Sequence, residues 1–115
     1  MVRHLNMAQS DALQGSLNLL VLKLLARRAP LHGYAIMAAI QELTADVLRV
    51  EQGSLYPALH RMEEDGWIRA EWMARENGKR VRAYSLTKAG KLQLEKSEER
   101  WCAVTAAVNR LLEFA

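Results

Sequence analysis

Apolar residues along this chain recur at two periods, and the change from one to the other divides it. Leu13, Leu17, Leu20, Val21, Leu24 and Leu25 fall on one side of a helix from Asp11 to about Arg28, with Leu19 and Leu22 on the other. A helix that is apolar almost all round needs cover on two sides. The pattern therefore predicts one side on a small core and the other against a second subunit. Asp11 is the expected cap, Pro30 ends the helix, and Arg27 and Arg28 suit its negative C-terminus. Met1 to Ser10 shows no such period and reads as a loose arm. A second helix is expected over Leu31 to Leu43, entered through His32-Gly33-Tyr34, with Ile36, Ala39, Ile40 and Leu43 buried. The link from Thr44 to Glu51 is polar at its start, and Val47, Leu48 and Val50 allow a short extended piece. In the stretch GSLYPALHRMEEDGWI, from Gly53 to Ile68, a third helix is predicted. Ser54 caps it, Leu55, Tyr56 and Pro57 fill its first turn, and Gly66 ends it. Its buried stripe is Leu55, Ala58, Leu59 and Met62.

The period then drops to two. Ile68, Ala70 and Trp72 alternate with Arg69, Glu71 and Met73, and a second alternating run follows from Val81 to Leu86. Between them Asn77-Gly78 is a strong hairpin signal, so a two-stranded wing is expected behind the third helix. From Thr87, a capping residue, the chain reads as one helix from Lys88 to Phe114, roughly 40 Å long at 1.5 Å per residue. Along it Leu94, Ser97, Trp101, Val104, Val108, Leu111 and Ala115 alternate at spacings of three and four, a heptad seam. A helix this long cannot fold back on so small a core, and a homodimer is expected to cover its seam. The fold class is mainly α with a small β-hairpin: a winged helix-turn-helix plus a long C-terminal dimerisation helix. The expected division is an arm over residues 1–10, the winged helix-turn-helix over 11–86 and the dimerisation helix over 87–115.

Charge adds a location rather than a total. The 115 residues carry a net charge of only +3, which permits a nucleic-acid partner without demanding one. Yet Arg75, Lys79, Arg80 and Arg82 face only Glu76 between positions 75 and 82, so this short segment alone carries the whole excess. Cations at a hairpin tip reach phosphates. On the third helix, the side away from the stripe carries Tyr56, Pro57, His60 and Arg61, while Glu63, Glu64 and Asp65 wait until the last turn. That polarity suits entry into a DNA groove N-terminus first. The candidate DNA-contacting set is Gln52, Ser54, Tyr56, Pro57, His60 and Arg61 of the third helix, Arg75, Asn77, Lys79, Arg80 and Arg82 of the wing, and Tyr34. The candidate dimer or effector surface is Leu17, Leu94, Trp101, Val104, Val108 and Leu111.

Catalysis and metal binding find no support. His4, His32, His60 and Cys102 sit on four different elements without a metal-binding spacing, so neither metal nor cofactor is expected. Glu63, Glu64 and Asp65 are consecutive and point different ways around the helix, which rules out a paired acid and base. A single cysteine makes an intrachain disulfide impossible, and the longest apolar run, Leu17 to Ala26, is too short for a bilayer. No secretory pattern opens the chain, and a cytoplasmic setting without a membrane partner is expected.

Three strings now stand in order: GSL with LLVLKLLARRAPLHGYAI, then GSLYPALHRMEEDGWI, then RVRAYSLTKAG. Together they resemble the PadR family of bacterial winged-helix transcriptional regulators, over roughly Leu13 to Trp101, and the single C-terminal helix is similar to the family's compact subgroup. The resemblance implies a homodimeric repressor that binds double-stranded DNA at an inverted-repeat operator and is released by a small molecule or by stress. It implies that Ser54, Tyr56, Pro57, His60 and Arg61 enter the major groove, with Lys79 and Arg80 on flanking backbone. It also implies that Trp101 matches a tryptophan lining a cavity for a small apolar or aromatic effector at the dimer interface. Two rivals stand beside this reading: a ligand- or protein-binding dimer on the same scaffold without specific DNA recognition, and a nonspecific architectural DNA binder.

Overall fold

The computed structural model describes the backbone of residues 5–6 and 11–114 and the side chains of residues 16–114. The cap and contacts expected of Asp11, Leu13 and Ala115, and every side chain of the arm, lie outside those described. The order is β1 (Leu5–Asn6), α1 (Asp11–Arg28), β2 (Leu31–His32), α2 (Gly33–Leu43), β3 (Leu48–Arg49), α3 (Gln52–Glu64), β4 (Ile68–Ala74), β5 (Arg80–Leu86) and α4 (Lys88–Leu112). Within the span read as a loose arm, Leu5 and Asn6 pair in parallel with Leu48 and Arg49. The main sheet is antiparallel in the order β2-β5-β4, with Leu31 opposite Tyr84 and Ile68 opposite Leu86.

One core gathers the apolar stripes. Leu17, Val21, Leu22 and Leu25 of α1 meet Ile36 and Ile40 of α2, Leu55, Leu59 and Met62 of α3, Ile68 and Tyr84 of the sheet and Leu94 of α4. The predicted stripe of α3 is buried throughout. The arc of α1 differs from expectation. Leu22, expected opposite the core, is fully buried, and Leu20 is only partly so. Helix α1 packs against α2, α3, β5 and α4 of its own chain, so the protomer itself covers most of its circumference.

Two helix starts and one position expected to be buried differ as well. Leu31 and His32 are not the start of α2, because their backbone pairs with Tyr84 and Ala83 of β5 and extends the sheet. Leu43, expected in the stripe of α2, is 58% exposed, since the last turn of that helix runs past the core. Helix α3 starts at Gln52, with Glu51 rather than Ser54 at the N-cap; the Glu51 carbonyl accepts from the Ser54 and Leu55 amides. Pro57 therefore lies inside the helix, beyond the first turn, where its missing N–H leaves the Gly53 carbonyl without that intrahelical bond. The helix stops as expected at Gly66, whose φ of 78° is open to glycine without strain.

Helix α4 is capped as predicted, the Thr87 hydroxyl oxygen accepting from the Gly90 amide at 3.0 Å. The same hydroxyl donates to the Gly66 carbonyl at 2.6 Å, and the Thr87 amide donates to the Trp67 carbonyl at 3.0 Å. The first turn of α4 is thus fixed to the turn that leaves α3. Lys23 of α1 and Glu98 of α4 pair at 2.9 Å further along. Beyond that point α4 projects away from the core, and the molecule extends 58 Å along its longest axis. None of the helices is long and apolar enough to cross a membrane, among the described residues.

Candidate nucleic-acid interface

Because Leu55, Ala58, Leu59 and Met62 turn inward, the intervening positions of α3 must face out. Gln52, Tyr56, Pro57, His60 and Arg61 are exposed, and Ser54 is half-buried beside them. Both α2 and α3 begin without a side-chain cap and without an acidic residue in the first turn. At α3 the Glu51 residue at the N-cap places a carboxylate beside the positive end, whereas the N-cap of α2 is His32. Tyr34, in the first turn of α2, is exposed.

The two helix starts are packed closely. A Cβ built on Gly33 would lie 2.7 Å from the Tyr56 hydroxyl oxygen and 2.9 Å from its ring, so the tyrosine occupies space that only a glycine leaves open. Gly33→Ala is expected to displace the Tyr56 ring, a mobile side chain, while leaving the core intact. Its thermal midpoint should stay near wild type while, on the sequence expectation that Tyr56 contacts DNA, affinity for duplex falls by about tenfold; equal loss of both would make Gly33 a folding residue instead.

The wing stands over this pair. Its turn closes through the Gly78 amide to the Arg75 carbonyl at 2.9 Å and the Arg75 amide to the Lys79 carbonyl at 2.7 Å. Asn77 shapes that turn, its side-chain oxygen accepting from the Lys79 amide at 3.0 Å, while Gly78 supplies a φ of 82°. Arg75, Lys79 and Arg80 are exposed and make no salt bridge among the described residues. Arg82 does: its Nη2 meets Glu63 Oε2 at 2.8 Å, tying β5 to the end of α3. The sequence counted Arg82 among the free cations of the wing, and the structure gives it a structural partner. His60 Nε2 likewise lies against Glu64 Oε1 at 2.6 Å, one helical turn away.

Tyr34, Tyr56, Arg75, Arg80 and Arg82 come together around one cleft of about 460 Å³ between the helix starts and the wing. Five more lining residues lie outside the candidate DNA-contacting set: His32, Gly33, Trp72, Val81 and Tyr84. Tyr84 forms the inner wall; burial raises its hydroxyl above the ordinary phenol range, with Arg82 opposing that shift. Trp72 shares a face with Ile68 and Ala70, but the core ends before it and the ring is 60% exposed. The signal that could have found it is its place opposite Arg82 and diagonal to Arg80 on the same sheet face.

The second candidate surface divides. Leu17 and Leu94 are buried in the protomer's own core and are no part of an outward face. Trp101, Val104, Val108 and Leu111 are exposed on α4, as are Leu112 and Phe114. An apolar groove of about 310 Å³ runs between α1 and α2, where Leu20, Leu24, Ile40 and Leu43 line it, away from Trp101. Cys102 is an exposed free thiol.

Residues 21–96 match the family described as Transcriptional regulator PadR-like. A transcriptional regulator from Clostridium thermocellum superposes with a TM-score of 0.82 at 26% identity, covering 90% of this chain and 100% of that one. For a PadR-like transcriptional regulator from Bacillus cereus the TM-score is 0.80 at 28% identity, covering 92% of this chain and 100% of that one. In sequence, a transcriptional regulator of Mycobacterium tuberculosis is 43% identical over 54 residues, which span 47% of this chain and 50% of that protein.

Proposed function

This chain belongs to the PadR-like family of transcriptional regulators, and from that premise we propose that it is a homodimeric repressor reading an inverted-repeat operator in the cytoplasm. The observation that carries the reading is the shared cleft, where Tyr56 of α3 and the unpaired Arg75 and Arg80 of the wing border one opening. In this reading residues 11–86 form the DNA reader, 87–115 the dimerisation helix and 1–10 an arm. Helix α3 enters the major groove with Gln52, Tyr56, His60 and Arg61 toward base edges. Arg75, Lys79 and Arg80 hold the flanking backbone, which positions the reader without specifying sequence.

Dimerisation supplies the geometry. Half-sites one helical turn apart require two reading heads separated by about 34 Å. The apolar, exposed run of Trp101, Val104, Val108 and Leu111 on α4 suits a second copy. A small apolar or aromatic effector between α1 and α4 of neighbouring subunits, beside Trp101, would favour a different spacing and so lower operator affinity reciprocally.

The test is binding to the duplex upstream of the chain's own gene. Arg80→Ala should weaken binding to all duplexes alike and reduce the slope of log affinity against log salt by about one. Arg61→Ala should cost about 1–3 kcal/mol on the operator and little on random duplex. Equal wild-type affinity for operator and random duplex would indicate an architectural binder, and no salt-dependent binding at all would leave only the DNA-free dimer.

A further inference from the structure

The wing places an aromatic where its sheet face should be apolar and covered, yet leaves it bare. Ile68, Ala70, Trp72 and Ala74 share one face of the hairpin with Leu86, Tyr84, Arg82 and Arg80. The base of that face closes the core through Ile68 and Tyr84. Its outer half overhangs the cleft beside Tyr56, with Trp72 still 60% exposed. Arg82, directly opposite, is drawn away to Glu63, whereas the Arg80 guanidinium lies 5.3 Å from the Trp72 ring centroid. Among the described residues no carboxylate lines the cleft, Glu63 behind it being taken up by Arg82. A flat apolar wall with a cation held over it, open to solvent and free of acid, fits a ligand that alternates a small apolar ring with an anion. The sugar–phosphate strand of a duplex has that chemistry.

Building on the DNA reading above, we propose that Trp72 is a backbone-binding residue of this regulator. A deoxyribose packs on the exposed indole, and the indole holds Arg80 in place for the adjacent phosphate by the attraction of a cation to an aromatic face. Contacts of this kind fix the position of the strand and carry no sequence information.

Trp72→Ala should weaken binding roughly fivefold on operator and random duplex alike, and should reduce the salt slope by about one because Arg80 is no longer held. Trp72→Phe, which keeps an aromatic face, should restore both to within about twofold of wild type. Since the chain contains three tryptophans, fluorotryptophan labelling of the full chain gives three fluorine resonances, and the one missing in Trp72→Phe reports this ring directly. It should shift on addition of random duplex. Unchanged affinity and slope in Trp72→Ala, a loss confined to the operator, or a resonance indifferent to duplex would overturn the proposal while wild-type binding stands. A wild-type chain that binds neither duplex would overturn the DNA reading and this role together.

Discussion

Gly90→Ala should cost the fold about 3 kcal/mol, the upper part of the range for forcing an extra methyl into a packed site. Alanine ordinarily stabilises a helix by up to about 1 kcal/mol relative to glycine, so helix propensity alone predicts the opposite sign. Sterics decide the matter. A Cβ at position 90 would lie 2.0 Å from the Trp67 carbonyl oxygen and 2.8 Å from Leu86 Cδ1. The leucine methyl can move; the carbonyl cannot retreat freely, because it accepts the Thr87 amide while the Thr87 hydroxyl grips the Gly66 carbonyl. Relief therefore means lifting the first turn of α4 off the end of α3. Urea unfolding at fixed chain concentration should show the loss, and the thermal midpoint should fall by about 10 °C. Ala89→Gly, at the exposed neighbouring position, should lose no more than about 1 kcal/mol. Wild-type stability in Gly90→Ala would mean that α4 is not seated against Trp67 in solution.

That docking illustrates what the sequence carries and what it does not. Signals that act within a few residues were legible: the span of α1 before Pro30, the stripe of α3, Asn77-Gly78 at the hairpin tip, and Thr87 as the cap of α4. Interactions formed between distant segments were not. Leu31 and His32 are strand only because β5 lies alongside, and two residues have no period of their own. Arg82 reads as one more free cation until Glu63, nineteen residues earlier, is brought against it. Trp72 alternates with Ile68 and Ala70, but alternation records which face a residue shares and says nothing of where the core stops. Gly33 and Tyr56 are unremarkable apart; their close approach is set by how α2 crosses α3. The start of α3 was misplaced for a subtler reason. A good capping residue, Ser54, lay just downstream of Glu51, whose carbonyl takes the first amides without any help from its side chain.

The consequence for function turns on α4. Changing both Val104→Glu and Val108→Glu should leave a folded monomer whose operator affinity is lower by about two to four orders of magnitude, the avidity lost when two linked sites are separated. Both positions are about half exposed in the protomer, so the carboxylates meet water there and cost the monomer little. In a two-fold dimer each substitution occurs twice across one interface. Unpaired carboxylates facing each other in an apolar seam lose hydration without gaining a partner, at several kcal/mol for each buried charge. Sedimentation at micromolar concentration should show the chain falling to half its mass, with its helical circular dichroism retained. Nonspecific binding by a single head should persist at low salt, because the wing and α3 are untouched. The control is Ala106→Glu, exposed and off the seam, which should stay dimeric and bind normally. A double variant that remains dimeric with wild-type operator affinity would place the interface elsewhere, and the exposed groove between α1 and α2 would then be the surface to disrupt next.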